Sequence, residues 1–392
     1  MHISPVFIVG LLLANAEGVL GGSRFWEAKA PNKRMKSMPE YQPLETFNST
    51  SPLIKRAMSI KSLPSDVGAN RIWPNKKIKY CFVADPTAAF RGQWESAMRA
   101  WAALDRHGFT YEEVSREICT SQPSSHLRIF YNNNGRLTST VGIPVIDDAA
   151  NQADPDNAVI GPFTHLSDLA TVGQEDVVAN MAHELGHIWG LHHGHQIPDH
   201  WEVSDEDIFD SWNINGGKEA LFATSKFNCE NLKDHDTVKE KVQKLVDAAV
   251  GAERDGLEDE QTRLCISRDV AQKYGFSASE WLPMVNTARM VIDEDFDRDS
   301  IMLYPSRAGG KESGGVRAIV MTYKDGSEIP NRVTPSIMDV ERLVALYGNP
   351  APSTLQVPHV GKGSKFLNKF KELRKKASFR RYGDTKDGTC PS

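Results

Sequence analysis

His183, Glu184 and His187 follow the order His-Glu-x-x-His inside MAHELGHIWGLHHGH, residues 181–195, which hold five histidines and one glutamate. Residues four apart on a helix project from one side, so two imidazoles stand together and the glutamate beside the first can serve what they hold. That is the helical half of a zinc site. Gly190 can take positive φ and end the helix sharply, after which the chain doubles back and offers a third ligand. In the extended pattern His-Glu-x-x-His-x-x-Gly-x-x-His this ligand is His193. His192 and His195 are read as surface histidines or as residues standing behind the ligands. Three histidines leave one zinc position open for water, as a catalytic site requires. The chemistry this allows is hydrolysis, with zinc lowering the pKa of water to about 7 and Glu184 taking its proton.

Those side chains need a scaffold. Val177, Val178, Met181, Ala182 and Leu185 give the apolar flank of a helix over 174–190. Upstream, Ile78, Tyr80 and Phe82 alternate as in a strand. Asp85 and Pro86 suit the N-cap and first position of a helix whose apolar face is Phe90, Trp94, Met98, Trp101 and Leu104, with Gly108 ending it. FTYEEV and HLRIFY read as two further strands. Residues 205–285 are acidic and mostly helical, and are read equally as a lid or as an ordinary insertion. Thr334 and Pro335 suit the start of a last helix that Gly348 stops, with Ile337, Val340, Val344 and Tyr347 as its buried face.

The 392 residues are 40% hydrophobic and 25% charged, as in soluble globular proteins, and a net charge of −5 gives no general pull toward nucleic acid. Residues 1–16 carry a short apolar core ending in Ala14-Asn15-Ala16, the pattern of a cleaved signal peptide; a buried N-terminal helix is the alternative. No transmembrane segment is expected. Residues 17–70, rich in Pro, Ser and Lys, read as a pro-segment with a dibasic Lys55-Arg56 and an N-glycosylation sequon at Asn48. Residues 351–392 form a basic tail, either an amphipathic contact for anionic surfaces or a solvated extension. Secretion permits disulfides. Of the five cysteines, an odd number that leaves at least one unpaired within the chain, Cys81 with Cys119 and Cys229 with Cys265 are the sequence-local pairings; other pairings, and the part played by Cys390, stay open.

With the second motif DSIMLYP, residues 299–305, the chain resembles the metzincin clan of zinc endopeptidases, whose methionine turn lies beneath the zinc ligands; here that residue is Met302. Ser-Ile-Met-x-Tyr is similar to the astacin form, in which the tyrosine helps to stabilise the transition state, a role that falls to Tyr304. RIWPNKKIKYCF, TSTVG, DEDFDRDSIMLY and VTPSIMDVERLVALYG extend the resemblance over most of residues 71–350. The sequence departs from astacins at Gly194, where the family has glutamate, and at Leu191, where it has phenylalanine.

The resemblance implies an α+β, metzincin-type zincin. An N-terminal twisted mixed sheet with two long helices would face a mainly helical C-terminal subdomain, bearing the insertion, across an active-site cleft. It implies one Zn2+ per chain and a secreted, monomeric metalloendopeptidase, made as a zymogen. Protein or peptide substrates would lie extended along the edge strand upstream of the metal helix. Asp66 is the only aspartate in the pro-segment, where astacins use one for latency, but a plain surface residue is the preferred reading. A protein that keeps the fold without the activity, acting as a binding protein or effector, is the alternative function.

Overall fold

The structure is a computed structural model and describes residues 20–21, 58–60, 71–146, 148–153, 158–201, 221–284, 290–291 and 296–348. The apolar stretch of residues 1–16, the sequon at Asn48, Lys55-Arg56, Asp66 and the basic tail with Cys390 lie outside the described residues.

The strands are β1 (Leu20–Gly21), β2 (Ser59–Ile60), β3 (Lys77–Phe82), β4 (Thr110–Glu113), β5 (Leu127–Asn132), β6 (Thr138–Thr140), β7 (Phe163–Ser167), β8 (Met290–Val291), β9 (Glu312–Ser313) and β10 (Val316–Arg317). The helices are α1 (Ala88–Ala100), α2 (Arg116–Ser121), α3 (Asp148–Ala153), α4 (Val177–Trp189), α5 (His235–Ala248), α6 (Ala252–Arg263), α7 (Arg268–Tyr274) and α8 (Ile337–Tyr347). A six-stranded mixed sheet runs β1-β6-β7-β5-β3-β4. β4, β3, β5 and β7 are parallel, and β6 and then β1 add antiparallel at one edge. The α+β architecture, the mixed sheet and the two long helices α1 and α4 match the expected fold.

One core lies between the sheet and these helices. Phe90, Trp94, Trp101 and Leu104 of the first helical stretch meet Met181, Leu185, Ile188 and Trp189 of α4. Each such side chain contributes on the order of 1.5–3 kcal/mol on burial. The indole of Trp101 donates to the carbonyl of Ala182 (2.9 Å), that of Trp73 to Ile188 (2.7 Å), and the Tyr347 hydroxyl to Trp189 (2.9 Å). The last two satisfy carbonyls that a helix end leaves without intrahelical donors.

A second core carries the insertion. Val238, Val242 and Val246 of α5 pack with Trp281, Leu303 and Tyr304. Cys229 bonds to Cys265 across this region and Cys81 to Cys119 beside the sheet, the two sequence-local pairings.

Several local expectations shift. Thr87, not Asp85, caps α1: its Oγ1 accepts from the amide of Phe90 (3.1 Å), whereas the Asp85 carboxylate pairs with Arg116 (2.6 Å). Both strands read from FTYEEV and HLRIFY are present as β4 and β5, and the short helix α2 fills the connection between them. Ser336, not Thr334, begins α8, because its hydroxyl accepts from the Asp339 amide while the Asp339 carboxylate accepts from the Ser336 amide, both at 2.9 Å. Ile337 is 43% exposed, and Leu343 and Leu346 take its place in the buried face.

Met58, Ser59 and Ile60 fall within the segment read as a pro-segment, yet all three are fully buried. Ser59 bridges Leu191, the amide of Ile60 donates to the carbonyl of Gly190 (2.9 Å), and the Arg342 guanidinium donates to the Ser59 hydroxyl (2.8 Å). No helix among the described residues is long and apolar enough to cross a membrane.

Candidate metal centre

α4 starts at Asp176, whose carboxylate accepts from the amide of Ala179 (2.8 Å), and ends at Gly190 with φ 114°. The reversal there is a glycine requirement on two counts. The positive φ strains any other residue, and a Cβ would sit 2.9 Å from Ile60. The amide of Leu191 closes back onto the carbonyl of Gly186 (2.9 Å), which sends residues 191–193 beneath the helix.

This turn brings His183, His187 and His193 together, one ligand nitrogen from each within 4.8 Å of the others. Nε2 of His193 lies 3.2 Å from Nε2 of His183 and 2.9 Å from Nε2 of His187. The first two rings are fixed from behind, because Nδ1 of His183 contacts the carbonyl of Ile301 (2.7 Å) and Nδ1 of His187 that of Leu191 (2.8 Å). A carbonyl only accepts, so each Nδ1 carries the hydrogen and each Nε2 presents a lone pair inward. Burial holds His183 down to about 4 and puts His187 and His193 well below the usual imidazole value, so all three are neutral at physiological pH. Two inward lone pairs, from His183 and His187, face the Nε2 of His193, and a cation held between the three rings would be shared by all of them. Tetrahedral zinc with nitrogens at about 2.0–2.1 Å places those nitrogens about 3.3 Å apart, close to the spacing found. The donor set fits zinc.

Met302 sits directly beneath. A Cβ added at Gly186 would meet its Sδ at 2.5 Å, and its carbonyl accepts from the amide of Gly194 (3.2 Å). The turn is clamped from both sides. The buried Asp339 carboxylate accepts from the Ser300 hydroxyl (2.6 Å) and the Ile301 amide (3.0 Å), while the Gln174 amide donates to the carbonyl of Leu303 (2.8 Å).

Glu184 is buried beside the ligands and accepts from the Ser139 hydroxyl (2.5 Å). Burial pushes its carboxyl up to about 8; the Ser139 bond opposes this and the charge of Glu280 adds to it. The Tyr304 ring lies 4.3 Å from that of His193 and 6.0 Å from that of His183. Burial also holds its phenol well above the usual value, so the hydroxyl keeps its proton.

The structure thus brings together every residue the sequence nominates for the site. His192 and His195 are not on the surface: they are 4% and 0% exposed. His195 stacks on His193 (5.1 Å) and lies tilted against Trp281 (5.2 Å), and its Nε2 contacts the carbonyl of Glu280 (2.9 Å). The insertion therefore supplies the layer behind the third histidine. Sequence reasoning missed Ser139, Gln174, Trp281 and Asp339, which act through side-chain contacts between segments far apart in the chain. TSTVG marked the strand that carries Ser139 and nothing of its partner.

Solved structures are similar to this chain. High choriolytic enzyme 1, a hatching enzyme zinc-protease from Oryzias latipes (medaka fish), shares 14% identity at a TM-score of 0.38, covering 74% of this chain and 98% of its own. Two structures of myroilysin give 14% identity, TM-score 0.34 and coverage of 71% and 96%, and 12% identity, TM-score 0.32 and coverage of 75% and 99%. No family model and no curated protein matches the chain.

Proposed function

We propose that this protein is a secreted, astacin-like zinc metalloendopeptidase that is made with a removable N-terminal segment. The observation that carries the reading is the convergence of three neutral, inward-facing Nε2 atoms beside a buried glutamate. His183, His187 and His193 hold the metal, and Met302 supports the floor beneath them. When bound, zinc supplies a Lewis acid that polarises a peptide carbonyl and acidifies water. Glu184 takes a proton from the attacking water and passes it to the leaving amine; burial, which pushes its carboxyl up, favours its holding the proton between the two transfers. Tyr304, buried and protonated, donates a hydrogen bond to the carbonyl oxygen as charge builds there, a contribution of about 3 kcal/mol.

An extended peptide is the substrate class the sheet favours. β6 already accepts a strand from this chain's own Leu20–Gly21, paired antiparallel. Main-chain pairing of this kind gives affinity without demanding a particular side chain. The two disulfides fit an oxidising compartment.

The test is cleavage of casein by purified protein trimmed after Arg56. Activity that a zinc chelator and Glu184→Ala each abolish supports the reading. A folded, zinc-loaded wild type that cleaves nothing contradicts it and favours a binding role.

A further inference from the structure

We propose that Ser139, backed by Thr164, is a positioning residue for Glu184, and that it ties the base to the strand on which a peptide docks. The inference rests on the peptidase reading above.

Ser139 is fully buried in the middle of β6. Its hydroxyl donates to Oε2 of Glu184 (2.5 Å) and stands 2.7 Å from the hydroxyl of Thr164 on β7, its register partner. A hydroxyl has one proton. In the ionised form that serves as base, Glu184 can only accept, so the Ser139 proton goes to its carboxylate and Thr164 donates to Ser139. The order Thr164, Ser139, Glu184 is therefore a directed chain of two bonds whose last member occupies one carboxylate oxygen. Glu184 belongs to a fully buried helix face, where a carboxylate without such a partner would rotate toward any available donor. Holding Oε2 leaves Oε1 as the oxygen free to serve the reaction.

The other side of Ser139 matters equally. On β6 it lies between Thr164 and Gly21, the residue of the added antiparallel strand. A peptide taking that strand position pairs at the same residue whose side chain holds the base. The end of β6 is tied to the metal helix as well, since the amide of Gly142 donates to the carbonyl of His187 (2.9 Å). Strand docking and base placement thus share one rigid unit.

The experiment compares Ser139→Ala, Thr164→Val and the double variant with wild type and Glu184→Ala. Expected are a fall in kcat of about 10- to 100-fold for Ser139→Ala with KM changed less than about 2-fold, and a smaller fall for Thr164→Val. Because the two hydroxyls act in series, the double variant should be no slower than Ser139→Ala alone. Zinc content should stay at the wild-type level. In a crystal structure of zinc-loaded Ser139→Ala, the Glu184 carboxylate should leave its place while the three imidazoles stay.

A Ser139→Ala enzyme with wild-type kcat, or losses that multiply in the double variant, would overturn the proposal while leaving the peptidase reading intact. Should Ser139→Ala not fold, the nearly equal-volume Thr164→Val decides: unchanged kcat overturns the proposal and reduced kcat at full zinc content upholds it. Should the wild type not cleave, the peptidase reading fails, and the position of Glu184 in the crystal decides the positioning claim alone.

Discussion

The carbonyl oxygen of Ile301 lies 2.7 Å from Nδ1 of His183, and the amide of the same residue donates to the buried carboxylate of Asp339. One residue of the methionine turn therefore orients an imidazole of the candidate metal site on one side and answers to an acid in the last helix on the other. Such partners behind the ligands fix tautomer and ring orientation.

Burial, helped by the charge of Asp297, pushes Asp339 up to about 7. The folded protein thus binds a proton that the unfolded chain, with Asp near its ordinary value, has released. Stability from this group is fullest below the unfolded pKa and declines as pH rises from about 4 to about 7. Thermal melts of the metal-free protein should show this when wild type is compared with Asp339→Asn: wild type loses stability relative to the variant over that window. Parallel curves would contradict the assignment.

Gly186 faces Met302 at a distance that leaves no room for a methyl group. A glycine in mid-helix ordinarily gives up about 0.5–1 kcal/mol to alanine. Here the sign should reverse, with Gly186→Ala destabilising by about 1–3 kcal/mol through overpacking. Adding Met302→Ala should recover part of that loss in urea unfolding. Independent, additive effects would mean that the two residues do not meet.

Ile60 fills the corner between Gly142 and Gly190, so residues 58–60 belong to the folded body. Ile60→Ala should cost about 2–4 kcal/mol by opening a cavity behind the metal-binding turn. A chain beginning at Ala57 should fold and bind zinc, whereas one beginning at Arg71 should melt lower and hold zinc weakly. Equal melting temperatures for the two chains would show that the strand contributes nothing.

The bond between Cys229 and Cys265 closes the insertion whose Trp281 packs 5.1 Å from Tyr304. Replacing both cysteines with serine should lower stability by about 2–4 kcal/mol. If the insertion backs the site, kcat should fall at temperatures where circular dichroism still reports a folded protein. Activity that tracks global unfolding alone would reduce the insertion to a passive elaboration.

The contrast between what the sequence revealed and what it hid follows from range. The convergence of the three histidines was legible because helical geometry and one glycine relate residues 183, 187, 190 and 193 over a short stretch of chain. The alternation of Ile78, Tyr80 and Phe82 and the face of α1 were legible for the same local reason. The cap of α1 was misplaced by two residues because Asp85 finds Arg116, a partner no local rule names. For His192 and His195 the sequence left open whether they lie on the surface or behind the candidate ligands; what decides it is contact with Met58 and Trp281, residues far away in sequence. Ser139 was hidden for the same reason, since its role exists only once β6 lies against α4.

X-ray absorption at the zinc edge on the loaded protein, together with zinc content for each histidine variant, tests the three-histidine site most directly. Expected are three imidazole nitrogens at about 2.0–2.1 Å and one exchangeable light ligand. Zinc should be lost in His183→Ala, His187→Ala and His193→Ala and retained in His192→Ala. A fourth protein ligand in place of the exchangeable one, or zinc retained at full occupancy in His193→Ala, would contradict it.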